Sequence, residues 1–216
     1  MPTGQRQRSF NIDGESFNEF PSAVSFDSVS KYRIDLPAVS ANNIGTLTTR
    51  TDDDTGVATL QTSQTIETAD VCDVYWSGGC RYGMDATVSG VEVTLDGGAG
   101  DALPVATTAV TVVLQTEINP LNLDGDNAEA VAVVYQNASD TGAKSSIDLQ
   151  DSGSASIEQL DLVHETANGG CEHYYDISNG DTNVFTGNPI TKGFASHDST
   201  TAAGILWVIA GIDSTP

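Results

Sequence analysis

Basic residues are scarce in this sequence. Its 216 residues include 8 lysine and arginine residues against 30 aspartate and glutamate residues, which gives a formal net charge of −22 at pH 7. Because such a surface repels nucleic-acid phosphates and anionic lipid headgroups, the composition predicts a protein that binds neither nucleic acid nor a membrane. Two explanations of the acidity remain open: solubility in a salty or extracellular setting, including a halophilic host, or a surface displayed at high copy number.

Cysteine is also scarce. The chain has Cys72, Cys80 and Cys171, an odd number with no C-x-x-C spacing. This pattern argues against a disulfide framework and against a zinc knuckle. Since cysteine otherwise behaves as a small hydrophobic residue, we predict free, buried thiols.

Long hydrophobic runs are missing. The longest apolar run, residues 203–211, is far too short to cross a bilayer. The N-terminal stretch around Arg6 and Arg8 is not followed by the apolar core of a secretory signal. These features predict a soluble protein that is made in the cytoplasm and leaves it only by lysis or a signal-free route.

Strand signals dominate what is present. Short stretches rich in valine, threonine, isoleucine and tyrosine recur between clusters of glycine, aspartate, asparagine and serine, and no segment keeps the apolar spacing of a long helix. The sequence therefore predicts an all-β fold. The close-set strands of the first half suit a small barrel or sandwich of about six or seven strands. The longer loops of the second half predict a second, jelly-roll-like β-sandwich.

The predicted organisation has three parts. Residues 1–25 are polar and weakly patterned, which is typical of an extended N-terminal arm that becomes ordered against a neighbour. Residues 26–118 form the predicted β-barrel or sandwich domain, and residues 119–216 form the second sandwich with long loops. The break falls in residues 118–129, where an Asn-Pro and an Asp-Gly follow a strand.

The stretch "DVYWSGGCRYGM", residues 73–84, predicts a hairpin with a three-residue loop at 77–79. In that register one face is apolar and pairs Trp76 with Cys80, Val74 with Tyr82, and Cys72 with Met84. The other face carries Asp73, Tyr75, Arg81 and Asp85, with the Tyr75 ring in cation–π reach of Arg81. We therefore interpret the stretch as a core hairpin whose glycines form the turn.

Signatures of catalysis are not visible. The chain has no nucleophile elbow, no reactive-cysteine signature, no phosphate loop and no dinucleotide fingerprint. His164, His173 and His197 are interpreted as surface or loop histidines, because a triad requires exact mutual placement. A hydrolase hidden in the acidic loops would need a placed nucleophile and base, and so the prediction is a protein that is not an enzyme.

Metal and cofactor sites are not predicted either. Cys171 and His173 lie two residues apart and His164 could join them, but zinc would need a fourth ligand. The acidic turns at 52–54 and 124–129 do not complete a calcium-loop pattern, so we interpret them as solvated turns.

Aromatic residues give the only candidate contacts, which are Tyr174, Tyr175, Phe185 and Phe194. Adjacent residues of a strand point to opposite faces, so one of the two tyrosines is predicted in the core and the other at an interface. Stacking on sugar rings is the alternative, and it would make the chain a glycan-binding adhesin or receptor-binding β-sandwich module.

The stretch from "GTLTTRTDDDTG" to "DALPVATTAVTV", residues 45–112, resembles the β-barrel modules of small structural proteins in tailed phages and phage-like particles. The closing stretch "NVFTGNPITKGFASHDSTTAAGILWVIAGIDST" is similar to the last strands of such proteins. The resemblance implies a virion structural protein, either a capsid decoration or cement protein or a tail component, assembled in the host cytoplasm. It also implies a homo-oligomer whose partners are other copies and virion proteins such as the major capsid protein. It carries over no catalytic residues.

Overall fold

The structure is a computed structural model. It describes residues 10–12, 15–17, 28–118, 128–137, 143–150, 153, 156–163, 170–176 and 192–212. These ranges contain seventeen strands and one short 3-10 helix, Ala41–Asn43, and they contain no α-helix. The predicted all-β fold is therefore confirmed. Within these ranges no helix has the length and apolar character needed to span a membrane.

The strands are β1 (Phe10–Ile12), β2 (Glu15–Phe17), β3 (Ser28–Leu36), β4 (Ile44–Arg50), β5 (Thr55–Thr59), β6 (Val71–Trp76), β7 (Gly79–Ser89), β8 (Glu92–Asp96), β9 (Ala99–Gly100), β10 (Ala109–Leu114), β11 (Thr116–Ile118), β12 (Ala128–Asn137), β13 (Lys144–Gln150), β14 (Ser156–Val163), β15 (Gly170–Asp176), β16 (Lys192–His197) and β17 (Gly204–Ile212).

Six of these strands close into an antiparallel barrel in the order β6-β10-β4-β5-β8-β7, and β7 pairs back with β6. The two-residue strand β9 pairs with β7 outside this ring. Closure leaves no free sheet edge in the barrel, so the predicted barrel is confirmed.

Apolar side chains from all six barrel strands meet in one core. Along β8, buried Val93 and Leu95 alternate with exposed residues, as expected for a strand with one face toward a core. The buried members of this core are Leu47, Ala58, Leu60, Ile66, Cys72, Val74, Met84, Ala86, Val93, Leu95, Leu103, Val110 and Val112. Small barrels of this kind are filled by side chains, and this one is filled in the same way.

The β6–β7 hairpin differs from its predicted register near the turn. Its loop has two residues, Ser77 and Gly78, so Trp76 pairs with Gly79 and Val74 pairs with Arg81. The predicted three-residue loop is wrong. The predicted Tyr75–Arg81 pairing is wrong as well, because the shorter loop moves every partner near the turn by one residue and Tyr75 pairs with Cys80.

A β-bulge restores the predicted register farther from the turn. Tyr82 and Gly83 of β7 together oppose Asp73 of β6, and beyond them Cys72 pairs with Met84 as predicted. Gly83 has φ of 64°, a left-handed conformation that glycine adopts without steric strain. The hairpin is a core element, and the predicted free, buried thiols are confirmed for Cys72 and Cys80. The side chain of Cys171 lies outside the described part of the chain.

Two four-stranded antiparallel sheets accompany the barrel. Sheet 1 has the order β11-β16-β13-β14, and sheet 2 has the order β15-β12-β17-β3. Strand β3 precedes the barrel in sequence yet pairs along its whole length with β17. The chain also passes directly from barrel to sheet 1, since only Gln115 separates β10 from β11.

The predicted domain boundary at residues 118–119 stays a prediction. Two strand pairs join residues on either side of this boundary. Strands β3 and β11 lie before that boundary and pair with β17 and β16, which lie after it. The predicted arm, residues 1–25, falls mostly outside the described residues; β1 and β2 within it pair as a hairpin.

Arg81 holds the loop that follows β8 against β7. Its guanidinium donates three hydrogen bonds to backbone carbonyls, from Nε to Gly97 at 2.7 Å, from Nη1 to Asp101 at 3.0 Å and from Nη2 to Gly98 at 2.8 Å. The Asp54 carboxylate lies 3.9 Å from Nη2. The side chain is only 10% exposed, so Arg81 is buried while its guanidinium holds this loop in place.

We predict that Arg81→Met lowers the free energy of unfolding by about 2–4 kcal/mol, because the loop after β8 loses three hydrogen bonds from a charged donor. Urea unfolding followed by circular dichroism measures the change. The control is Arg50→Met on β4, where the arginine pairs with the exposed carboxylate of Asp53; its expected loss is below about 1 kcal/mol. Equal urea midpoints for the two variants would contradict the structural role assigned to Arg81.

Candidate functional site

A buried carboxyl group, that of Asp73, lies where the barrel meets sheet 1. Asp73 stands on β6 opposite the bulge, and it is 1% exposed. Its Oδ1 accepts hydrogen bonds from the backbone N–H of Gly83 at 2.9 Å and from Nε2 of Gln115 at 2.7 Å. The bulge glycine and the residue that links barrel to sheet 1 therefore bind the same carboxyl oxygen.

The other carboxyl oxygen binds two serines of sheet 1. Oδ2 of Asp73 lies 3.0 Å from Oγ of Ser146 and 2.5 Å from Oγ of Ser196. The two serines are directly opposite each other on β13 and β16, which places both hydroxyls on one face of the sheet. They are each 2% exposed.

Tyr75 completes the arrangement. It is two residues from Asp73 and so lies on the same side of β6. Its phenol oxygen lies 2.9 Å from Oγ of Ser146 and 2.6 Å from Oγ of Ser196. We call Asp73, Tyr75, Ser146 and Ser196 the Asp73 cluster. It joins residues of β6 to residues as many as 123 positions later in the sequence.

Further contacts surround the cluster along the junction. The Lys144 ammonium donates to the backbone carbonyl of Trp76 at 2.5 Å, and the Lys144 backbone N–H donates to the carboxylate of Asp198 at 2.7 Å. Nε2 of His197 lies 2.7 Å from the carbonyl oxygen of Pro37, in the segment that leads from sheet 2 to the barrel. The junction thus combines backbone and side-chain hydrogen bonds from both sides.

Burial dominates the electrostatics of this junction. It raises the pKa of Asp73, an effect that the hydrogen bonds from Ser196, Gly83, Gln115 and Ser146 oppose. Burial also raises the pKa of Tyr75 well above its ordinary value, and the nearby Cys80 and Asp73 add to that shift.

The pKa values of two side chains at the edge of the junction are shifted for the same reason. Burial lowers the pKa of His197 and raises the pKa of Asp198. In both cases desolvation disfavours the charged form of the side chain.

A small cavity and a shallow cleft flank the cluster. The cavity, of about 180 Å³, lies beside the 3-10 helix and the ends of β10 and β16, and Ser196 and His197 line it. The cleft, of about 410 Å³, is lined by Trp76, Lys144 and Asp198 among others. An Asp–Ser contact also occurs in nucleophilic sites, but here both serine hydroxyls are buried and also bonded to a tyrosine. The arrangement is suited to joining two parts of the fold.

The predicted contact residues lie in different sheets. Tyr174 and Tyr175 stand on β15, the terminal strand of sheet 2, and pair with Ala132 and Val131. Phe194 is half-buried on β16 of sheet 1, where the Lys192 ammonium lies 5.7 Å from its ring centre. Phe185 lies outside the described residues. The assignment of these four aromatics as interface or glycan contacts stays a prediction.

The histidine interpretation is wrong for one residue. His197 stands on β16 and is 1% exposed because it lies against the segment that leads from sheet 2 to the barrel, where its ring bonds the carbonyl of Pro37. His173 stands on β15, with its side chain outside the described part, and His164 lies outside it altogether. Among the described residues, no group of three or more histidine, cysteine, aspartate and glutamate side chains could hold a metal ion.

The acidic turn at 52–54 is hydrogen-bonded within itself. The Asp54 backbone N–H donates to the carboxylate of Asp52 at 3.1 Å. Hydrogen bonding to Asp54 lowers the pKa of Asp52. Residues 124–127 of the second predicted turn lie outside the described ranges.

Sequence reasoning missed the Asp73 cluster. The alternation of the hairpin correctly separated Asp73 and Tyr75 from the apolar face of β6. A polar face next to an apolar core is usually solvated, however, and nothing local to Ser146 or Ser196 indicates that sheet 1 covers it. The one available signal was that Asp73 and Tyr75 lie two residues apart, and so on one face, in a strand of otherwise apolar residues.

Comparisons with known proteins give no family. No protein family model matches the sequence, and no curated protein matches it. One similar solved structure is the VP2 subviral particle of infectious bursal disease virus, with 10% identity, 87% of this chain and 72% of that chain covered, and a TM-score of 0.26. Another is the Dit protein of phage SPP1, from the hub adsorption apparatus of phages that infect Gram-positive bacteria, with 11% identity, coverages of 85% and 91%, and a TM-score of 0.23.

A third similar structure is SGBP-B of the Bacteroides ovatus mixed-linkage glucan utilization locus, solved with a mixed-linkage heptasaccharide. It has 12% identity, coverages of 94% and 63%, and a TM-score of 0.21. At these identities and TM-scores the three neighbours establish no function for this chain.

We predict that Tyr75→Phe and Ser196→Ala each lower the free energy of unfolding by about 1–3 kcal/mol, because each removes at least two buried hydrogen bonds of the cluster. The double variant tests whether the two hydroxyls act together. Urea unfolding of the four proteins forms a double-mutant cycle, and we expect a coupling energy of about 0.5–3 kcal/mol.

The matched control for that cycle is Tyr82→Phe. Tyr82 lies on the neighbouring strand, is 5% exposed, and its hydroxyl has no hydrogen-bond partner among the described residues. Removal of this hydroxyl should therefore leave stability unchanged or raise it. Equal losses for Tyr75→Phe and Tyr82→Phe, or strict additivity in the cycle, would contradict the cluster.

Proposed function

We propose that this protein is a non-enzymatic structural subunit of a virion or phage-like particle, either a capsid decoration or cement protein or a tail component, and that it assembles as a homo-oligomer. Its polar chemistry supports this role. The most elaborate hydrogen-bonded group in the described chain, the Asp73 cluster, is buried and joins the barrel to sheet 1. A subunit needs such internal connections because contacts with neighbouring subunits exert forces on its surface.

The outer edge of a terminal strand, β15, supports the proposal. The barrel has no edge, but in the described part of the chain β15 has a strand partner on one side only, which is β12. A terminal strand offers backbone N–H and C=O groups to a strand from another chain. Tyr174 and Tyr175 lie on this strand, and tyrosine is a residue type that is enriched at protein interfaces.

The charge balance fits the same role. A net charge of −22 makes copies repel one another unless specific contacts hold them. Closed symmetric assembly supplies such contacts and uses each sheet edge once. The partners under this proposal are other copies of the chain and virion proteins such as the major capsid protein, and the place of assembly is the host cytoplasm.

The proposal predicts that the protein is a stable homo-oligomer in solution and that one of two adjacent tyrosines contributes to the contact. Tyr174→Ala and Tyr175→Ala are controls for each other, because neighbouring residues of a strand face opposite ways. Size-exclusion chromatography with light scattering across a dilution series should show about tenfold or greater weakening of association, equal to about 1.4 kcal/mol, in one variant only. A wild-type monomer at every concentration would overturn the homo-oligomer.

Two further measurements separate the virion role from its alternative. Mass spectrometry of purified particles should find the protein at a fixed copy number. A glycan array should give no saturable binding, whereas sugar binding that Tyr175→Ala abolishes would replace the proposal with a glycan-binding module.

A further inference from the structure

Four oxygen atoms of the Asp73 cluster form a closed ring. Around the ring, Oδ2 of Asp73 lies 3.0 Å from Oγ of Ser146, which lies 2.9 Å from the phenol oxygen of Tyr75. The phenol oxygen lies 2.6 Å from Oγ of Ser196, which lies 2.5 Å from Oδ2 of Asp73. All four contacts are within hydrogen-bond distance, and a longer fifth contact of 3.3 Å crosses the ring between Oγ of Ser146 and Oγ of Ser196.

The number of protons decides whether the ring can close. Each hydrogen bond needs one proton, and each hydroxyl supplies one. Ser146, Tyr75 and Ser196 therefore supply three protons for the four shorter contacts around the ring. An ionised Asp73 leaves one contact with two facing oxygens and no proton, whereas a neutral Asp73 supplies the fourth and completes the ring.

The two carboxyl oxygens of Asp73 have the different surroundings that a neutral acid requires. Oδ1 meets only N–H donors, those of Gly83 and Gln115, which suits a carbonyl oxygen. Oδ2 meets only hydroxyls, which can accept a hydrogen bond as well as donate one. This asymmetry indicates that the proton belongs on Oδ2.

The cationic groups on the surrounding strands bond elsewhere. Arg81 on β7 donates to three backbone carbonyls, Lys144 on β13 donates to the carbonyl of Trp76, and the His197 ring on β16 bonds the carbonyl of Pro37. The described ion pairs do not include Asp73. The other titratable groups on the adjoining strands are Cys72 and Tyr75 on β6, Cys80, Tyr82 and Asp85 on β7, Asp148 on β13 and Lys192 on β16. Lys192 is the only cation among them, and its ammonium lies over the ring of Phe194. A negative charge on Asp73 would thus be buried without a counter-charge, consistent with the raised pKa of this carboxyl.

We propose that Asp73 carries a proton in the folded protein, that this proton closes the hydroxyl ring between the barrel and sheet 1, and that its loss weakens the junction. The cluster is then an acid-stabilised connection between two parts of the fold. This role goes beyond the proposed structural function and does not depend on the particle or the oligomer.

The direction of the pH effect follows from linkage. A carboxyl that holds its proton more tightly in the closed junction than in the open one stabilises the closed form at low pH, and this stabilisation is lost as pH rises through the pKa of the closed form. Between the ordinary aspartate pKa of about 3.9 and that raised value, the opening equilibrium should increase about tenfold per pH unit.

A carbon-13 NMR titration of the side-chain carboxyls tests the proton directly in the full-length wild-type protein, with Asp73 assigned through bonds to its own backbone. The expected result is that Asp73 titrates clearly above the ordinary aspartate value of about 3.9. Ionisation of Asp73 together with the exposed aspartates would overturn the proposal.

Amide exchange at Gly83 tests the junction. Its N–H donates to Oδ1 of Asp73, so its exchange, corrected for intrinsic pH dependence, reports opening of the cluster. Wild type and the control Asp85→Asn should show the tenfold increase per pH unit above about pH 4. Asp73→Asn keeps Oδ1, offers an amide donor in place of the acid proton, and should show no increase. The same pH dependence in all three proteins would overturn the proposal.

Discussion

The buried carboxyl of Asp73 is the constraint to which the surrounding structure is adapted. A carboxyl removed from water loses several kcal/mol unless hydrogen bonds replace its hydration. Four groups from four separate segments supply those bonds: the bulge amide of Gly83, the linking residue Gln115, and the hydroxyls of Ser146 and Ser196. The bulge, the one-residue connection between β10 and β11, and the register of β13 with β16 all place donors at this point.

The same constraint explains how the barrel and sheet 1 are held in one relative arrangement. The barrel is closed and has its own apolar core, so it could pack against sheet 1 in many ways if the contact were purely apolar. Directional hydrogen bonds to a single carboxyl select one arrangement. The long pairing of β3 with β17 adds a second connection, because it returns the chain's early strand to the sheet that its last strand forms.

Sequence alone predicted the elements better than their meeting points. The alternation along β8 and the apolar face of β6 are local signals, and they correctly indicated a barrel-forming, all-β chain. The turn at Ser77 and Gly78 was predicted one residue too long because a Ser-Gly-Gly run fits two loop lengths, and only the bulge at Gly83 reveals which is used. Ser146 and Ser196 could not be predicted as partners of Asp73, since long-range contacts leave no periodic pattern in the sequence.

The most direct test of the account compares the unfolding of the barrel with the unfolding of sheet 1. The chain has two tryptophans, Trp76 in the barrel and Trp207 in sheet 2. With Trp207 replaced by phenylalanine, Trp76 reports the barrel during urea unfolding. With both tryptophans replaced by phenylalanine, Phe194→Trp on β16 reports sheet 1. If the Asp73 carboxyl couples the parts, the two signals coincide with Asp73 present and separate into distinct transitions in Asp73→Ala. Coincident transitions in Asp73→Ala would contradict the account.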